Sequence, residues 1–145
     1  MKRSSISNNF SLLVSVLFFI ITAQSCFAAT DVLLRKGSPV IIPPGIDVNR
    51  QTVITVSLNS DQPYSIAVND DNSGVLRNGT AVIPYRVSYN NNPETTLSTT
   101  PVVMESAASI TDGESTIAVS ILGIDTAKAT AGDYSATLTV TITSF

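Results

Sequence analysis

The sequence predicts an all-β protein, an immunoglobulin-like sandwich of two sheets, and three observations carry that expectation. Val, Ile, Thr and Ser dominate the chain after its first thirty residues, and clusters of Asn, Asp, Gly and Pro punctuate it at short intervals. No stretch shows the 3.6-residue period of an amphipathic helix. Apolar residues instead alternate with hydroxylated ones, the pattern of half-buried strands, and roughly seven such runs with few aromatics suit two sheets packed face to face.

The first element is a leader. Lys2 and Arg3 precede an apolar run, Leu12 to Ile21, that only Ser15 interrupts, and polar Thr22, Gln24 and Ser25 follow it. Spanning a bilayer takes about 20 apolar residues, so this run reads as the core of a secretion signal over residues 1–28. Cys26-Phe27-Ala28 puts small residues at −3 and −1 of a cleavage after Ala28. Gln24 stands where lipoprotein processing would want a small or apolar residue.

Cleavage there leaves 117 residues, the size of one domain. Of eight Lys+Arg, two leave with the signal while all eleven Asp+Glu stay, so the exported chain is acidic, at −5. That balance argues against a nucleic-acid groove. The chain has no histidine, and its one cysteine, Cys26, lies in the leader. A Ser-His-Asp or Cys-His nucleophile, a His or Cys metal site, a thiol redox centre and a disulfide are all excluded after cleavage. The expectation is a protein that is not an enzyme and uses no cofactor or metal.

The strands follow in order. Ile54, Val56 and Leu58 alternate with Thr55 and Ser57, and Tyr64, Ile66 and Val68 alternate with Ser65 and Ala67. Asn69 to Gly74 reads as a solvated loop, and Asn78-Gly79 as the tight turn of a hairpin. Ile83, Tyr85, Val87 and Tyr89 share one face of the next strand, where Pro84, lacking an N–H, predicts an edge or a bulge. A short strand over 101–104, another carrying Ile117, Val119 and Ile121, and a loop over 123–133 complete the middle. The cleanest alternation comes last: Tyr134, Ala136, Leu138, Val140 and Ile142 alternate without a break with Ser135, Thr137, Thr139, Thr141 and Thr143.

Other patterns carry little. Asn69, Asp71, Ser73 and Gly74 match the opening of a calcium loop, but its twelfth position is Thr80 instead of a bidentate Glu. Asn78-Gly79-Thr80 is formally a glycosylation sequon whose Asn-Gly core already has a reason as a turn. Asp112, Glu114 and Asp125 are loop carboxylates without an apolar pocket to set them up for acid–base work. Tyr64, Tyr85 and Tyr89 stand in phase with apolar faces and are expected to be buried.

The last strand is different, because a long apolar face at a terminal strand invites association unless charge, proline or a bulge blunts it, and none stands between Tyr134 and Phe145. Either it lies centrally in its sheet or it pairs with another chain. Here the sequence resembles subunits of pili built by the bacterial chaperone-usher pathway. Ala131-Gly132-Asp133-Tyr134, with the alternation that runs on to Ile142, is similar to the close of those subunits. Val56-Ser57-Leu58-Asn59 and Pro63-Tyr64-Ser65-Ile66 resemble the centre of spore coat U domains. Val75 to Asn78, Ile83 to Tyr89 and Leu97 to Thr100 look like the colonisation-factor type. The likeness covers roughly residues 52–145; it departs in lacking the cysteines that spore coat U domains often carry and in having Ser144 where many pilins have a penultimate tyrosine.

The resemblance implies an incomplete sandwich, residues 44–145, that lacks its last strand and is completed by a donor strand. A periplasmic chaperone would fill the groove first, an outer-membrane usher would follow, and the extension of another pilus subunit would then replace the chaperone by β-augmentation. Tyr134, Ala136, Leu138, Val140, Ile142 and Phe145 would line that groove. Exposing the five from Tyr134 to Ile142 would forfeit on the order of 7–15 kcal/mol, at ~1.5–3 each, against a typical stability of about 5–15. The donor would lie within residues 29–43, with Val32 and Leu34 as its apolar side chains. Either Asp31 to Lys36 is that donor, or the chain is a terminal subunit that accepts a strand and gives none. The chain would be displayed in a cell-surface fimbrium, facing a host receptor where it is adhesive. The alternative is a free secreted β-sandwich that binds a carbohydrate or protein through its loops.

Overall fold

The structure, a computed structural model, describes residues 30–145. The signal expected over 1–28 lies outside the described residues. The chain is all-β, with every strand pairing antiparallel. The strands are β1 (Thr30–Lys36), β2 (Val48–Ser60), β3 (Tyr64–Asp70), β4 (Val75–Asn78), β5 (Ala81–Pro84), β6 (Arg86–Tyr89), β7 (Val102–Ala107), β8 (Ile110–Ile121) and β9 (Leu138–Ser144), with one helical turn, α1 (Gly123–Thr126), before β9. They form a four-stranded sheet, β1-β2-β8-β6, a three-stranded sheet, β7-β3-β9, and the hairpin β4-β5.

One buried cluster draws on all three sheets: Val56 and Leu58 of β2, Ile66 and Val68 of β3, Leu76 and Ile83 of the hairpin, Ile117 and Val119 of β8, and Leu138, Val140 and Ile142 of β9. The alternating runs of the sequence supply most of it, since a period of two sends every second side chain inward. Val40 and Ile42 join the same cluster from the segment between β1 and β2.

Departures from simple alternation have local causes. In β2 the adjacent Val53 and Ile54 are both buried, because the register against β8 shifts between Thr52 and Ile54 and turns consecutive residues the same way. A second shift, between Val48 and Gln51, contains Arg50 in the left-handed region, at φ 47°. The expected single strand from Ile83 to Tyr89 is two. Pro84 ends β5 opposite Val75, and after Tyr85 the chain leaves the hairpin to pair as β6 with β8. The hairpin turn expected at Asn78-Gly79 is centred one residue later. Asn78 pairs with Ala81, and Gly79, at φ 58°, takes the first central position that favours glycine.

Asn69 and Asp70, expected in a solvated loop, belong to β3, and Asp70 is fully buried. Its carboxylate accepts the N–H of Asn72 at 3.0 Å and of Gly74 at 2.6 Å, which shapes the turn into β4. The loop expected over 123–133 contains α1, docked on the approach to β2. Gly123 donates its N–H to the Asp47 carboxylate at 2.6 Å, and Gly45 donates to Thr126 Oγ1 at 3.0 Å. The final strand begins at Leu138 instead of Tyr134. Ser135 exchanges backbone hydrogen bonds with Arg77, at 2.8 and 2.9 Å, so Tyr134 to Ala136 run beside β4 before the chain enters the three-stranded sheet.

Candidate functional site

β9 is an end strand of its sheet, with β7 at the other end. It pairs with β3 from Leu138 opposite Asp70 to Ser144 opposite Tyr64, and no described strand pairs with its other edge. Leu138, Val140 and Ile142 are buried while Thr139, Thr141 and Thr143 are half-buried, so the two sets occupy opposite faces. Tyr134 and Ala136 are buried as well, the Tyr134 hydroxyl donating to the Thr130 carbonyl at 3.1 Å. All five side chains expected along a groove are thus covered within the chain itself. What β9 leaves open is its backbone edge. Phe145 stands apart from them: its N–H donates to the Pro63 carbonyl at 2.9 Å, and its side chain is 72 % exposed.

Val32 and Leu34, expected on a donor strand, lie in β1 at the edge of the four-stranded sheet. They face Leu58 and Val56 of β2, half-buried against the core. β1 is therefore at the end of one sheet and β9 at the end of the other.

No sequence pattern singles out Glu105. From β7 its carboxylate accepts hydrogen bonds from the hydroxyls of both Tyr64 on β3 and Tyr89 on β6, linking the three-stranded sheet to the four-stranded one. Burial first, and the Glu105 hydrogen bond and charge next, push the Tyr64 hydroxyl from 10.0 to about 12. Burial and then Glu105 raise Tyr89 in the same direction, with Ser115 opposing. Tyr85 is raised too, by burial and by the neighbouring Asp70 carboxylate. Each tyrosine stays protonated across the neutral range, and Tyr64 and Tyr89 clamp the two sheets together through Glu105.

The three carboxylates expected in loops lie in regular elements instead, Asp112 and Glu114 in β8 and Asp125 in α1, and they do not converge. Asp112 and Glu114 border a shallow depression on the outer face of the four-stranded sheet, together with Asp31 and Leu33. Asp125 lines a separate cleft with Arg86, Glu94 and Ser120. Beside that cleft Ser120 donates to Glu94 at 2.6 Å, and the Arg50 guanidinium donates to the Asn91 carbonyl at 2.9 Å. Among the described residues no three potential ligands gather into a metal site. No family model matches the chain, and no curated protein matches it either.

Proposed function

We propose that the protein is a structural or adhesive subunit of a chaperone-usher surface pilus, exported through the periplasm and assembled by donor-strand exchange. The observation that carries this reading is the open backbone edge of β9 beside the apolar face of Leu138, Val140 and Ile142. In this reading the two larger sheets are the layers of an immunoglobulin-like sandwich, and the strand it lacks would add to the β7-β3-β9 sheet next to β9. Main-chain hydrogen bonds to that edge would hold first a periplasmic chaperone and then the donor of another subunit, with the usher ordering the exchange.

Two versions of the subunit differ in β1. As a donor, residues 30–36 would have to leave β2; as a terminal subunit, the chain keeps β1 in place and only accepts a strand. The continuous pairing of β1 with β2, from Thr30 opposite Ser60 to Lys36 opposite Ile54, favours the second. A free secreted binding module is the rival reading. It draws support from the covered core and would use the cleft bordered by Arg86, Glu94, Ser120 and Asp125.

The deciding experiment co-expresses the exported protein with a periplasmic chaperone and usher encoded beside it. The pilus reading expects a chaperone–subunit complex on purification and fibres at the cell surface. A stable monomer that ignores the chaperone and forms no fibres would overturn it and leave the binding module.

A further inference from the structure

We propose that β1 is a self-complementary docking edge through which two copies of this chain pair, β1 against β1, into one continuous eight-stranded sheet. The proposal does not depend on the pilus reading. β1 is the end strand of the four-stranded sheet, and among the described residues nothing pairs with its outer edge. Its sequence, Thr-Asp-Val-Leu-Leu-Arg-Lys, pairs with itself when run antiparallel about Leu33. Asp31 then meets Arg35 of the second copy, Val32 meets Leu34, and Leu33 meets Leu33 on the two-fold axis, with the Asp31–Arg35 and Val32–Leu34 pairs repeated by symmetry.

The burial of each residue agrees with this register. Asp31, Leu33 and Arg35 share the outer face and are exposed, Leu33 by 50 %, whereas Val32 and Leu34 share the half-buried inner face. An antiparallel two-fold axis perpendicular to the sheet keeps faces matched, so charge meets opposite charge outside and apolar meets apolar inside. Asp31 also borders the depression that Asp112 and Glu114 line, so Arg35 of the second copy brings its cation to an acidic rim. Charges on an edge strand ordinarily repel foreign strands. Here one register turns each acid towards a base, and a slip by one residue would set the inner face of one copy against the outer face of the other, Val32 opposite Arg35. The resulting contact is isologous and closes at two copies.

The test is sedimentation of the exported protein at rising concentration. It should show a monomer–dimer equilibrium that weakens with added salt, because the outer pairs are exposed to solvent. Asp31→Arg alone and Arg35→Asp alone should each weaken the dimer roughly tenfold or more, and the double exchange should restore it. Circular dichroism of each variant checks that it is folded, and the double exchange keeps the test decisive if one single variant is not. In a Cys26→Ser background, Leu33→Cys places two thiols on the axis. Facing Cα atoms of antiparallel strands lie about 4.5–5.5 Å apart, within the span of a disulfide, so mild oxidation should give a covalent dimer. Val103→Cys, whose side chain is exposed on β7, should stay monomeric under the same conditions. A protein that remains monomeric, a dimer indifferent to both single reversals, or open-ended polymers would each overturn the proposal.

Discussion

Glu105 shows how much of a β-protein can hang on one side chain that no pattern announces. It receives two tyrosine hydroxyls from different sheets, and those hydroxyls ionise later in the folded chain than in the unfolded one. For Tyr64 the folded state keeps its proton to about 12 against 10.0 unfolded, so the stabilisation is complete below pH 10.0 and is lost as pH climbs through 12. Tyr85 and Tyr89 shift the same way. Urea unfolding at stepped pH, followed with tyrosinate absorbance, should therefore show the tyrosine contribution to stability falling as pH rises from 10.0 to about 12. A second expectation at this scale concerns Gly123. A Cβ there would stand 2.6 Å from the Gly45 carbonyl oxygen, a backbone atom that cannot swing away. Gly123→Ala should cost ~1–3 kcal/mol in urea or thermal unfolding. The three tyrosines were legible as buried because they fall in phase with apolar neighbours. Asp70 and Glu105 were not, since a buried carboxylate depends on donors brought by the fold: the turn amides at Asn72 and Gly74 for one, and hydroxyls from β3 and β6 for the other.

Among the elements, β9 gives the sharpest contrast between neighbours. Val140 is 3 % exposed within the apolar cluster, whereas Thr139 is half-buried on the opposite face. Val140→Asp should lose ~3 kcal/mol or more through an unpaired buried carboxylate, and Thr139→Asp should stay within about 1 kcal/mol, where water still reaches the charge. Urea denaturation of the two variants measures the difference. If the chain is a pilus subunit, the same pair should separate in fibre assembly, with Thr139→Asp the better tolerated. Strands with strict alternation, β3 and β9 above all, were legible because one period fixes both type and face. Their ends were harder to read. Tyr134 and Ala136 keep the apolar phase of β9 but belong beside β4, since alternation reports burial and not which strand lies alongside. The break at Tyr85 was signalled by Pro84, although its outcome, a transfer between sheets, needed the pairing partners.

At the scale of the whole molecule, the all-β class was legible from composition and punctuation alone, because no helical period competed with the alternation. The open edge of β9 was foreshadowed by an unblunted last strand, while the cover over its apolar face was not. That cover is a product of tertiary packing in one buried cluster, which Val40 and Ile42 also join without belonging to a strand. Two further outcomes belong here. N-terminal sequencing of the exported protein should begin at Ala29 or within two residues of it, and a mature chain still carrying Met1 would refute export by cleavage. Its melting temperature should be indifferent to reductant and to EDTA, measured by calorimetry, since the chain after Cys26 has no thiol and no histidine. The pairing of β3 with β9 also has a consequence in time. β3 receives its second neighbour only when Leu138 to Ser144 have been made, long after β3 itself has been synthesised. Until then Ile66 and Val68 lack the strand that flanks them, so the core is completed only in one late, long-range step of folding.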